Sequence, residues 1–321
     1  MTQQELQQRF EIPGILRFEP GEGGLMAVHI TAPAAEATIY FQGAHLTHWK
    51  PAGQAPVLFT SSRSEFTAGK AIRGGVPVIF PWFGERHDGK AGPSHGFARV
   101  SEWQLAFAAL FGGALHLIWM LEPNELSRSL GFDHFKVGYS MSIGQTLTLE
   151  LTVANDSNAN DSSSGSGART PEEMQQQGTP FSYEAAFHTY YEVADARQVS
   201  VEGLGNTEYI DKVDGSKRKR QQESLLHLSG RTDRPYLDTT AICVLNDQAG
   251  HRRIVVQKSG SNSTVVWNPW SELCAKMPDM TAEGWQRFVC VETANVGENA
   301  ITLAPGAAHS MKAEISVEAL A

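Results

Sequence analysis

Two stretches of this sequence hold residues suited to moving protons beside a bound molecule. The first is Phe181-Ser182-Tyr183-Glu184-Ala185-Ala186-Phe187-His188-Thr189-Tyr190-Tyr191-Glu192-Val193. A period-two reading puts Phe181, Tyr183, Ala185, Phe187, Tyr191 and Val193 on one strand face, and His188 with Glu184, Tyr190 and Glu192 on the other. That second face is either a solvated strand surface or the wall of a polar cleft. The second stretch, Phe288-Val289-Cys290-Val291-Glu292-Thr293-Ala294-Asn295-Val296, reads as a strand buried on both faces, with Glu292 on the side of Phe288, Cys290 and Ala294. A carboxylate there is costly unless paired, protonated or used, so Glu292 has either a structural partner such as an arginine or a chemical role. Burial raises a glutamate above its usual pKa of about 4.3, a direction useful in a general base. Histidine, near 6.5, gives or takes a proton at neutral pH. A Glu/His pair of this kind suits proton traffic on hydroxyl and ether oxygens.

Cationic groups lie in a different kind of segment. Ile72-Arg73-Gly74-Gly75-Val76-Pro77-Val78-Ile79-Phe80-Pro81-Trp82-Phe83-Gly84 is followed by His95-Gly96-Phe97-Ala98-Arg99. Glycine and proline exclude regular helix and keep these segments out of the middle of a sheet. They read as shaped, half-buried loops that hold Arg73, His95 and Arg99 against something anionic or rich in hydroxyls. Trp267-Asn268-Pro269-Trp270 closes a strand. A tryptophan face packs on the C–H face of a sugar ring, and Asn268 offers donor and acceptor to hydroxyls. The alternative is a core-edge aromatic with a capping asparagine, the better reading for Trp270. Asp233, in Arg231-Thr232-Asp233-Arg234-Pro235-Tyr236, either accepts from a hydroxyl, orients an arginine, or caps a turn.

The elements that must position these groups are mostly strands. Glu36–Phe41, Ala114–Leu121, Thr146–Val153, Ile254–Gln257 and Ser263–Trp267 are short runs rich in β-branched or aromatic residues. Short helices are expected over Gln3–Phe10 and Pro171–Gln177. Many short strands at close spacing predict an all-β sandwich. The polar stretch 155–178 is too poor in apolar residues to offset its ordering entropy, and reads as a loop insertion within one domain spanning 1–321. Lys217-Arg218-Lys219-Arg220 reads as an exposed loop.

Composition narrows the classes. A chain of 321 residues, 41% hydrophobic and 19% charged, has an ordinary globular mixture. Its net charge of −9 argues against a general nucleic-acid or membrane-surface binder. Three scattered cysteines with no CxxC spacing suggest neither a disulfide framework nor a zinc site. The polar start Met1-Thr2-Gln3-Gln4-Glu5-Leu6 lacks a signal-peptide pattern. The most apolar window, Leu105–Leu121, is too short and too interrupted for a membrane span. The expectation is a reduced, cytoplasmic protein. Gly74-Gly75 and Gly112-Gly113 fit neither a dinucleotide nor a Walker phosphate frame.

Taken together, the segments around Arg73, Phe80–Gly84, His95–Arg99, Phe187–Tyr190, Asp233–Tyr236, Trp267–Trp270 and Val291–Asn295 occur in an order that resembles the hexose-6-phosphate mutarotases of the aldose 1-epimerase superfamily. The resemblance covers roughly residues 30 to 315. It implies a galactose-mutarotase-like β-supersandwich of large antiparallel sheets. It implies Glu292 as general base and His188 as general acid, Arg73 and Arg99 as a phosphate clamp, His95 beside sugar and phosphate, and Asp233 as a hydroxyl-binding or orienting group. The implied activity interconverts the anomers of an aldohexose 6-phosphate, with a small-molecule sugar phosphate as partner and no metal or organic cofactor. Oligomeric state is not readable in the residues, and a monomer is the default for a closed sandwich. Ser94 departs from the glutamine more common before His95, and the 155–178 insertion is longer than the family pattern. Competing readings are a mutarotase of unphosphorylated aldoses and a non-catalytic carbohydrate-binding protein. A glycoside hydrolase or lyase is a further alternative, but hydrolases need two suitably spaced carboxylates, and the second is not evident.

Overall fold

Antiparallel strands carry the architecture, as the short β-rich runs require. The computed structural model describes residues 1–157 and 178–320. The expected helix over Pro171–Gln177, and all but the ends of the expected 155–178 insertion, lie outside the described residues. The N-terminal helix spans Gln3–Phe10 as expected. Thr2 and Glu5 form a capping box at its start, and Leu6 and Phe10 are its buried residues.

Two large sheets dominate. In the nine-stranded sheet the order runs Leu226–His227, Val199–Glu202, Cys243–Asp247, Arg252–Ser259, Ala308–Ala319, Leu147–Asn155, Phe135–Ile143, Ala114–Leu121, Gln104–Phe111. The apolar window 105–121 is thus a hairpin. Along Phe135–Ile143 and Leu147–Asn155 every second residue is buried, which is the period-two signature of a sheet with one face in the core. Each large side chain so buried contributes about 1.5–3 kcal/mol.

The eight-stranded sheet runs Lys217–Arg220, Glu208–Asp211, Thr232–Tyr236, Ser263–Asn268, Phe288–Asn295, Ala185–Phe187, Val78–Ile79, with Tyr190–Glu192 also paired to Phe288–Asn295. The two large sheets meet in the core, where Tyr139 stacks on Phe187 at 5.5 Å. On the opposite face of the Phe187 strand, Ala186 packs into a smaller apolar cluster with Ile79, Phe83, Val265 and Ala294.

Two sequence expectations need correction. Residues 181–193 are not one strand but three: Phe181–Tyr183, Ala185–Phe187 and Tyr190–Glu192. Lys217–Arg220 is exposed as expected, yet it is the sheet's edge strand rather than a loop. Its cations pair with Asp214, Glu208 and Asp211, and a cationic edge resists pairing with another chain. At the other edge, Val78–Ile79 is only two residues long, cut short between Pro77 and Pro81.

The glycines before that strand serve close packing. Gly74 has φ +113° and Gly75 φ +61°. A β-carbon on Gly74 would overlap the Phe59 carbonyl, and one on Gly75 the Leu46 carbonyl. Gly75 N–H donates to Phe59 O at 2.7 Å, and Tyr190 N–H donates to Gly75 O at 2.9 Å. Only a residue without a side chain permits these approaches. We expect Gly75→Ala to lower unfolding stability by roughly 1–3 kcal/mol in denaturant titration, through backbone strain and displaced neighbours. Gly84→Ala, at φ +74° with no atom within 4 Å of the added carbon, should cost less. Equal costs would contradict the packing argument.

Candidate active site

Register brings Glu292 and His188 together. Phe187 lies opposite Thr293, and Tyr190 lies opposite Cys290, on either side of a break in the ladder. The common register sets His188 across from Glu292, and cross-strand partners share a face. At the break His188 N–H donates to Pro77 O at 3.0 Å instead of continuing the ladder. His188 Nδ1 then sits 3.1 Å from Glu292 Oε1. The contact has ion-pair length but not hydrogen-bond alignment, so His188 Nδ1 and both Glu292 oxygens lack a hydrogen-bond partner among the described residues. Glu292 is 1% exposed and His188 5%. This corrects the solvent-face alternative for His188, and among the described residues no arginine pairs with Glu292.

Burial sets the charges. Glu292 is raised well above the ordinary carboxylate range, first by burial and then by the nearby charge of Asp233, with Lys212 and Arg99 opposing. His188 is pushed well below the usual imidazole range by burial, then by His95, Arg99 and Arg73. Both shifts favour the neutral forms. A neutral imidazole beside a protonated carboxyl holds the same one proton as an imidazolium beside a carboxylate, so the two groups titrate as a pair. Such a pair can take a proton from one oxygen and give one to another with no net charge stored.

The other candidate residues converge on this pair, with one exception. His95 has φ +64°, an uncommon conformation outside glycine. Its N–H donates to Gly84 O at 2.6 Å, and Gly84 N–H donates back to its Nδ1 at 3.2 Å. Nδ1 is thereby an acceptor, and the neutral ring carries its proton on Nε2. Its ring centre lies 5.5 Å from that of His188. Asp233 lies opposite Trp267 and is raised by burial. Trp267 stands edge-on to His188 at 5.7 Å. Asn268 is the exception. Its amide donates to Trp285 O and Phe288 O, and its oxygen accepts from Trp270 N–H. It is fully buried with both amide hydrogens given to backbone carbonyls, so its expected substrate contact is corrected to a structural role. Trp270 packs on Trp285 at 4.3 Å, as the core-edge reading required.

The two arginines are neighbours. Arg99 is pulled down to about 10 by burial and by the charge of Arg73. One Arg99 nitrogen donates to Ser94 O at 2.6 Å, a backbone bond indifferent to the side chain at 94, while its buried Nε lacks a partner among the described residues. Arg73 Nε donates to Asp279 Oδ2 at 2.9 Å and Nη1 donates to the Tyr190 hydroxyl at 3.0 Å. Arginine has five N–H donors, so three remain. Arg73 is thus both ion-paired and only partly committed.

Sequence reasoning missed four residues here. Asp279 lies 206 positions from Arg73, and no local pattern marks it. Tyr190 was placed on the His188 face, without a role. The Lys212 ammonium lies 4.6 Å from the Phe83 ring centre, and its charge acts on His95 and Glu292. Buried His45 donates from Nε2 to Gly74 O at 2.7 Å, bracing the turn that carries Arg73. Glu184, on the same expected face as His188, is structural: it accepts from the N–H groups of Phe83 and Gly297 and contacts His87. It borders cavities of about 490 and 190 Å³, neither lined by His188 or Glu292. Among the described residues no cluster of three or more His, Cys, Asp or Glu side chains is arranged to hold a metal ion, and no helix is long and apolar enough to cross a membrane.

The family model "Aldose 1-epimerase" matches residues 26–170 and 168–316. A protein of Escherichia coli K12 named "Putative glucose-6-phosphate 1-epimerase" is 35% identical over 266 residues, 83% of this chain and 82% of its own. One of the same name from Cenchrus ciliaris is 32% identical over 84% of this chain and 78% of its own. The crystal structure of a "putative mutarotase" from Salmonella typhimurium superposes with a TM-score of 0.84 at 29% identity, covering 97% of this chain and 96% of that one. The chain belongs to the aldose 1-epimerase family, and its fold is the galactose-mutarotase-like β-sandwich.

Burial of His45 gives a test of this brace. Its pKa is lowered from 6.5 to about 4, chiefly by burial, with the bond to Gly74 opposing and Arg99 adding. The unfolded chain takes up this proton near 6.5 and the folded protein only near 4. The stability His45 contributes is therefore full above 6.5 and is lost as pH falls toward 4. Between about pH 7.5 and about pH 5, we expect urea unfolding of the wild type to lose roughly 2 kcal/mol more than that of His45→Gln. Equal losses would contradict the buried neutral imidazole.

Proposed function

We propose that the chain interconverts the α and β anomers of an aldohexose 6-phosphate, glucose 6-phosphate being the leading substrate. The observation that carries this reading is the buried Glu292/His188 pair, 3.1 Å apart, whose facing atoms lack hydrogen-bond partners among the described residues. Groups so costly to bury point to a ligand that supplies their missing bonds.

In the proposed reaction the pair's one proton first passes from Glu292 to His188, and the Glu292 carboxylate then takes the proton of the anomeric hydroxyl as the His188 imidazolium protonates the ring oxygen. The C1–O5 bond breaks with its electron pair going to O5, and C1=O1 forms. Rotation about C1–C2 turns the other carbonyl face toward the O5 hydroxyl. Closure then returns each proton, with the two residues exchanging roles. Proton inventory balances over the cycle, as the one-proton pair requires. Asp233 and His95 are assigned to hydroxyl contacts and Trp267 to the sugar's C–H face.

The phosphate is assigned to Arg73 and Arg99. Two guanidiniums close enough to depress one of them are stabilised by a dianion between them, and a guanidinium fork fits phosphate geometry. The names of the relatives from E. coli and C. ciliaris support the same substrate. One observation favours an unphosphorylated aldose instead: Asp279 already neutralises Arg73.

Magnetisation-exchange NMR on the anomers of glucose 6-phosphate and glucose separates these readings. We expect acceleration of the phosphate ester over the sugar, with Glu292→Gln slowing it about 10²- to 10⁴-fold. Arg99→Ala should raise KM for the phosphate ester roughly tenfold or more, as loss of a charge-assisted contact implies. Equal acceleration of both sugars would remove the phosphate assignment and keep the acid–base pair. Full activity in Glu292→Gln would remove the pair.

A further inference from the structure

Arg73 is held by two groups of different charge. Asp279 takes its Nε–H, and the phenol of Tyr190 takes one hydrogen of Nη1 at 3.0 Å. A carboxylate beside a phosphate site fixes the arginine but also repels the incoming dianion. A neutral phenol fixes it without that repulsion. Tyr190 is 1% exposed, and burial pushes its hydroxyl up to about 12, so it stays a neutral phenol at physiological pH.

Tyr190 cannot shift independently of the proton-transfer pair. Its ring stacks on the His188 imidazole with centres 4.9 Å apart and planes 17° apart. Phe288 packs on it at 5.0 Å and Trp267 meets it edge-on at 5.9 Å. Its backbone pairs with Cys290, two residues from Glu292 on the same strand face. One rigid side chain therefore touches an anion-facing arginine at its hydroxyl and the acid–base histidine at its ring.

We propose that Tyr190 is a positioning residue that sets phosphate selectivity, by holding Arg73 in register with His188. The proposal rests on the phosphate reading of Arg73 and Arg99. Its scale is that of one hydrogen bond to a charged group, about tenfold in binding or more.

The experiment uses the full chain and two probes: inorganic phosphate, titrated by calorimetry, and anomer exchange of glucose 6-phosphate against glucose. In the wild type we expect phosphate to bind and the ratio of kcat/KM to favour the phosphate ester. Tyr190→Phe, which keeps the ring stack and removes only the hydroxyl, should weaken phosphate about tenfold and lower that ratio about tenfold, mainly through KM. Arg73→Lys tests the route, because a lysine lacks the fork. Adding Tyr190→Phe to Arg73→Lys should give no further loss of selectivity. Phosphate affinity and ratio within twofold of wild type in Tyr190→Phe would overturn the proposal while leaving the phosphate reading intact. Additive losses in the double variant would also overturn it. A wild type that neither binds phosphate nor prefers the ester would defeat the phosphate reading itself, before any variant is measured.

Discussion

A carboxylate and an imidazole face each other across one strand pair, both removed from water and both short of hydrogen bonds. Burying either ion alone would cost several kcal/mol, and even their neutral forms leave donors and acceptors unmet. Most of what surrounds them follows from keeping this arrangement in place. Phe288–Asn295 is buried at every position, so Glu292 cannot turn outward. The ladder break at His188 is secured by the carbonyl of Pro77, on the proline-bounded edge strand. Behind that strand lies the Tyr139–Phe187 core contact, which ties the face carrying the pair to the large sheet opposite.

A second constraint is positive charge held close to positive charge. Burial keeps the His95 and His188 imidazoles neutral, and the charges of Arg73 and Arg99 add to it, Arg73 bearing on Arg99 as well. The loops that hold them are stiffened by tight contacts: His45 on Gly74, Gly75 against Leu46, and Arg99 on the Ser94 carbonyl. In a chain of net charge −9 such a local cationic pocket has to be built against the overall field. Asp279 and the Tyr190 phenol hold its Arg73 in place.

Much of this was legible in the sequence, for reasons that differ from residue to residue. Period-two patterns and β-branched runs located the strands around Ala114–Leu121 and Ser263–Asn268 because one or both faces are buried. Glu292 stood out as a charge in an apolar strand, and Arg73 and Arg99 as charges in segments too rich in glycine and proline for regular structure. Other features need the third dimension. The breaks in 181–193 come where backbone N–H groups leave the ladder, Glu184 for the Pro81 carbonyl and His188 for that of Pro77, which no spacing within the segment encodes. Asn268 looked like a sugar contact because its chemistry permits one, but three backbone groups claim it first. Asp279 and His45 reach the site across long sequence separations, so their roles appear only when the strands are assembled.

The central claim is that Glu292 and His188 hold one proton between them, with the imidazole neutral. NMR of the protein labelled with ¹⁵N at histidine, followed from about pH 6 to about pH 8, tests it most directly. The account expects His188 to give neutral-imidazole ring shifts throughout, with no titration near 6.5, and Glu292→Gln to alter the shift of Nδ1, the nitrogen 3.1 Å from Glu292. A His188 that titrates as an ordinary imidazole near 6.5, unaffected by Glu292→Gln, would contradict it.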